Sequence, residues 1–168
     1  MKLSTLTIIF DVSSFICGVV GIVLGIYSLL ALNSSWNNPT LSYKLTLIAI
    51  IFDIFSCLFA LLAFKYGYKH FLKRKEKFNK FKKNSHNLEV KAIIWDFISF
   101  CLGVIGLICE ALSLLALLPM WNNLQLSYNI TVGAVVFDIF SCLVVFIALL
   151  ITIVANRKSK NISLSPVK

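Results

Sequence analysis

Four long apolar runs without a single lysine or arginine, at about 7–32, 45–64, 92–117 and 130–155, constrain this chain more than any other feature. A helix needs about 20 such residues to cross a hydrocarbon core of about 30 Å, and each run meets that length. Lipid offers the backbone no hydrogen-bond partners, so each run must satisfy its own polar groups as a helix. Composition agrees: 59% of the residues are hydrophobic and 14% charged, with a mean hydropathy of +0.90. An ordinary soluble domain is about half apolar and a quarter charged, so neither a soluble globule nor a disordered chain fits. The first run follows Lys2 as a signal peptide would. It is too long for that role and carries Asp11, so it is read as a retained span.

The basic residues orient the spans. Lys2, the ten basic residues from Lys65 to Lys91, and Arg157, Lys158, Lys160 and Lys168 fall on one side, and only Lys44 on the other. Fifteen against one places both termini and the middle segment in the cytoplasm. The expected organisation is a two-helix unit in 1–64, a basic cytoplasmic loop in 65–91, a second two-helix unit in 92–155 and a cytoplasmic tail in 156–168. The connections on the outer side are expected to be about a dozen residues each. A plasma membrane and an endomembrane fit equally.

The second unit repeats the first at an offset of 85 residues without a gap, with 30 identities in the 68 positions of 6–73 laid on 91–158. Phe52-Asp53-Ile54-Phe55-Ser56-Cys57-Leu58 recurs intact as Phe137 to Leu143. Two spans per repeat keep both halves in one orientation, which implies a pseudo-twofold axis along the membrane normal. A weaker motif recurs in all four spans: two β-branched residues, an aromatic, Asp, and Ser three residues later. It places Asp11 with Ser14, Asp53 with Ser56, Asp96 with Ser99 and Asp138 with Ser141, and these are all the aspartates in the chain.

Steps of alternating three and four residues from each Asp trace a stripe. It includes Gly18, Gly21, Gly25 and Ser28 in the first span and Gly103, Gly106, Glu110 and Ser113 in the third. Of 32 such positions over the four spans, only Val145 is neither small nor polar. That is the 3.5-residue seam of a left-handed bundle, with the large side chains left to face lipid. The expected fold is all-α: four transmembrane helices in an antiparallel bundle built from two tandem repeats.

Helix direction sorts the acids into two layers. Asp96 lies about 8 Å along the axis from Lys91, with Asp11 at the same depth, while Asp53 lies about 14 Å in from Lys44, with Asp138 beside it. Glu110 adds a carboxyl in the third span. No base in any span neutralises them, and an isolated carboxylate at mid-bilayer costs about 2.5–3.5 kcal/mol on insertion scales. Either the acids are protonated or a cation shares their site. The candidate proton or cation path is therefore Asp53, Asp138, Asp11, Asp96, Ser14, Ser56, Ser99, Ser141 and Glu110. The alternative is that the same groups are hydrogen-bonding contacts between helices.

Other chemistry is thin. The five cysteines, Cys17, Cys57, Cys101, Cys109 and Cys142, all fall within spans, which excludes the outer-loop disulfides of tetraspanins or claudins and makes buried apolar packing the plain reading. With both histidines in the cytoplasmic segment, no Cys/His metal centre is expected. No Walker loop, zinc-type His/Glu spacing, Ser-His nucleophile or glycine-flanked intramembrane Asp signature is present, so no enzyme, catalytic residue or cofactor is expected. Trp36, Tyr43, Trp121 and Tyr128 fit an aromatic belt at the headgroups, where Asn and Ser also cap helices. Asn33 and Asn129 begin outward-facing glycosylation sequons.

Lys69, Lys73, Arg74, Lys75, Lys77, Lys80, Lys82 and Lys83, interleaved with Phe71, Phe78 and Phe81, suit contact with anionic inner-leaflet lipid. A nucleic acid is not expected on a short segment tied to a membrane at both ends. Two functions follow from this pattern. The first is a non-enzymatic tetraspan-type protein that organises partners or lipids. The alternative is a small proton or cation channel or transporter, acting as an oligomer because one chain leaves little room for a pore.

Overall fold

A computed structural model describes residues 3–33, 36–77, 83–118, 121 and 123–163. The regular structure among them is all α-helical: α1 spans Leu3–Leu32, α2 Pro39–Lys77, α3 Lys83–Leu117 and α4 Leu124–Ser163. All four are long and apolar enough to cross a membrane, over Ser4–Leu32, Pro39–Lys73, Leu88–Leu117 and Leu124–Arg157.

The helices outrun the apolar segments that announce them, and α2 and α4 begin early because asparagine side chains cap their first turns. The Asn38 side chain accepts a hydrogen bond from the Leu41 backbone at 3.0 Å, with Pro39 in the first turn. Asn123 does the same for Leu126 at 2.9 Å. The α1–α2 and α3–α4 connections therefore shrink to residues 33–38 and 118–123. Half the expected length is enough, and Tyr43 and Tyr128 move from loop into helix. Asn37 turns the first connection with φ at 37°, a backbone region that Asn tolerates better than most residues. The Asn38 backbone N–H then donates to the Ala31 carbonyl at 2.8 Å, as Asn123 does to Ala116 at 3.0 Å.

Each helix packs against two others: α1 against α2 and α4, and α3 against α4 and α2. The pairs α1–α2 and α3–α4 share the larger contacts. Interior and surface are inverted relative to a soluble protein. Ala49, Ala63, Ala134, Ala148, Ser28, Ser42, Ser113 and Ser127 are fully enclosed, while Ile16, Phe55, Ile108 and Phe140 are about half exposed on the outside. Small residues let the backbones approach closely, which is how helices associate where lipid removes the hydrophobic drive. Aromatic contacts close the outer edges of the seams, with Phe10 stacked on Tyr66 at 5.5 Å and Phe15 against Phe146 at 5.8 Å.

Cys57 and Cys142 are buried, Cys17 and Cys109 half-buried, and Cys101 exposed. Packing inside the bundle thus describes only some of the cysteines. Cys101 lies on the outer face, where lipid is as apolar as a protein core.

Candidate functional site: a buried carboxyl seam

The seam is a sequence of polar layers along the bundle. The innermost serine layer joins neighbouring helices by reciprocal bonds. Ser14 donates its hydroxyl to the Ser56 carbonyl at 2.9 Å and Ser56 donates back to the Ser14 carbonyl at 3.0 Å. Ser99 and Ser141 repeat the arrangement at 3.2 and 3.0 Å. Each hydroxyl has one proton and gives it to a facing carbonyl, so these four serines hold helices together and have no donor left for a passing group.

Nearer the short connections lies a second hydroxyl layer. Ser28 sits 2.7 Å from Ser42 and 2.8 Å from Thr46, and Ser113 sits 2.9 Å from Ser127 and 2.6 Å from Thr131. Ser42 and Ser127 directly precede Tyr43 and Tyr128, the tyrosines that the sequence places at the membrane rim. One further four-residue step along the seam, from Thr46 to Ser42, carried the signal that they face inward.

Between the two hydroxyl layers lies the centre of the site. Asp53, Glu110 and Asp138, from α2, α3 and α4, bring one carboxyl oxygen each to within 4.8 Å of the others. Their exposures are 4, 2 and 4%, and a hydrogen bond joins the Asp53 and Glu110 side chains. Room for two of these carboxyls comes from glycine. A Cβ at Gly21 would overlap the Asp53 carboxyl, and one at Gly106 would overlap that of Asp138. The flanking contacts follow the same repeat, since a Cβ at Gly18 would stand 2.6 Å from the Cys142 sulfur and one at Gly103 2.8 Å from that of Cys57.

Asp11 and Asp96 lie on the far side of the inner serine layer, both buried and close enough to repel one another when charged. Beyond them a cleft of about 30 Å³ opens at the bundle end, lined by residues that include Ser4, His70, Glu89, Asp96 and Thr152. It holds about a water or two. The structure thus places the nine seam candidates in three groups: a central triad, a closed serine layer and an inner pair.

One oxygen each of Asp11, Asp53, Asp96, Glu110 and Asp138 is buried with no hydrogen-bond partner. Buried polar atoms are normally satisfied, so five such oxygens in one seam call for a ligand or a proton. The joining of Glu110 to the two aspartates was not foreseen from sequence. The sequence had offered the acids as a cation path, and the structure shows which three of them come close enough to share one ion. The available signal was the repeat itself, since Gly25 holds the position that Glu110 occupies 85 residues later.

No family model matches the chain, and no curated protein or solved structure is detectably similar to it. Function must be argued from the seam.

The other candidates are more scattered. Trp36 and Trp121 are exposed in the two short connections, Tyr128 is exposed on α4 and Tyr43 half-buried on α2. Lys69 and Lys73 are exposed on the part of α2 that continues past its apolar run. Arg74, Lys75 and Lys77 continue that helix and Lys83 opens α3, but their side chains lie outside the described residues, as do Lys80, Lys82, Phe78 and Phe81 entirely.

Proposed function

We propose that this chain is a small multi-pass membrane protein that takes up and releases a proton or metal cation at its buried carboxyl seam, a transporter rather than an open channel. One observation carries the reading: five buried carboxyl groups each keep an unpartnered oxygen in a seam whose apolar spans contain no lysine or arginine. Interhelical hydrogen bonds are worth about 0.6 kcal/mol on average in membranes, too little to justify five buried acids as adhesive. The hydroxyl layers on either side of the triad favour an occluded site over a continuous pore. Exchange then requires the serine layer to open towards Asp11 and Asp96.

In this reading the bundle is antiparallel and made of two tandem repeats, with both termini cytoplasmic. Support comes from the facing of Ser14 to Ser56 and of Ser28 to Ser42, from the matched Gly21–Asp53 and Gly106–Asp138 contacts, and from the fifteen-to-one charge bias. The large apolar outer faces suit a second copy as well as lipid. No catalysis is assigned to the chain.

The test is flux of protons and of monovalent and divalent cations into liposomes. The expected result is flux from the wild type that disappears in an Asp53→Asn, Asp138→Asn double variant of unchanged helicity and stability. Equal flux from both overturns the reading. A second reading, a non-enzymatic organiser of partners or anionic lipid, is favoured by α2 carrying Tyr68, Lys69, Leu72 and Lys73 exposed beyond the apolar run. Wild-type vesicles without flux, but with lipid binding that is lost on reversing Lys69 and Lys73, would favour it.

A further inference from the structure

We infer that Asp53, Glu110 and Asp138 form one binding site per chain for a hard divalent cation of the calcium, magnesium or manganese class. The inference rests on the cation-uptake reading and narrows its ligand. Three carboxyl oxygens within 4.8 Å of one another can share a single ion, because three oxygens spread evenly around one Ca²⁺ stand about 4.0–4.5 Å apart, and around the smaller Mg²⁺ about 3.5 Å. An all-oxygen set selects hard cations over zinc or copper, which prefer nitrogen and sulfur.

Two further observations single this triangle out from the other acids. Each of its members is more than nine-tenths buried and keeps one oxygen without a partner, which an ion between them would satisfy. Glu110 also departs from the repeat. Asp53 and Asp138 are copies of one residue, and duplication alone accounts for both, whereas Glu110 stands where the first half has Gly25. Duplication does not explain it. Its carboxyl reaches the two equivalent aspartates from a third helix and makes one three-ligand site from what would otherwise be a pair.

The triangle supplies three ligands, so water or backbone oxygens complete the coordination.

The test is Mn²⁺ binding to the purified full chain in detergent, read by electron paramagnetic resonance. The wild type should bind one Mn²⁺ per chain in competition with Ca²⁺ or Mg²⁺, and Glu110→Gln should weaken binding at least about tenfold. Asp138→Asn should do the same, whereas Gly133→Ala, where an added Cβ meets nothing within 4 Å, should bind as the wild type does. Circular dichroism keeps loss of ligand separate from loss of fold. Absence of stoichiometric Mn²⁺, or equal binding by folded Glu110→Gln, overturns the inference. Proton or monovalent flux that persists without Mn²⁺ binding would overturn the divalent site and leave the transport reading standing. Binding without any flux would sustain the site and remove the transport.

Discussion

The two halves of this protein share several of the contacts that build the seam. Gly21 faces Asp53 as Gly106 faces Asp138, Gly18 faces Cys142 as Gly103 faces Cys57, and the Ser14–Ser56 bonds match those of Ser99–Ser141. Between the two hydroxyl layers they part at one seam position, Gly25 in the first half and Glu110 in the second; towards the other end of the bundle Ser4/Glu89, Thr7/Ala92, Ala60/Val145, Gly67/Thr152 and His70/Ala155 differ as well. In the first half a Cβ at Gly25 would stand 2.8 Å from the Val135 methyl, so helices meet there through a bare backbone. In the second, Glu110 puts a buried carboxyl between the two repeated aspartates. Packing explains what the halves share, and it does not explain a glutamate where the other half has glycine.

The largest test of the shared part is steric. Gly21→Val and Gly106→Val each drive a side chain into a buried aspartate, and overpacking of this kind costs about 1–3 kcal/mol. Thermal unfolding in detergent should show similar losses for the two variants. A variant that loses nothing while its counterpart unfolds would break the equivalence of the halves.

A smaller effect is expected at the serine layer. Ser14→Ala with Ser56→Ala, and Ser99→Ala with Ser141→Ala, each remove two reciprocal hydroxyl-to-carbonyl bonds. At about 0.6 kcal/mol per interhelical bond, each pair should cost about 1 kcal/mol. Faster cation exchange in both double variants would sharpen the comparison, because it identifies the layer as a barrier common to the two halves.

Much of this was legible in the sequence. The apolar runs gave the four helices, because a chain without Lys or Arg for 20 residues has few other places to go. The step of threes and fours from each Asp gave the buried stripe, since small residues at that spacing can only be an interface. The helix starts at Pro39 and Leu124 were hidden, because they depend on Asn38 and Asn123 folding back onto the next turn, a local event that hydropathy does not register. The central triad was half legible. Asp53 and Asp138 could be set at one depth by counting residues, but the reach of Glu110 depends on how far a longer side chain extends across the bundle. That is a property of packing, and no spacing along one helix encodes it.

The most direct test of the central claim removes the difference between the halves at the central site. Glu110→Gly gives both seams the residue of the first, with Glu110→Gln beside it to hold the volume. Divalent-cation uptake should stop in liposomes carrying either variant, although Asp53 and Asp138 remain and the helices stay folded. Uptake at the wild-type rate from a folded Glu110→Gly variant would mean that the duplicated aspartates suffice, and would contradict the account.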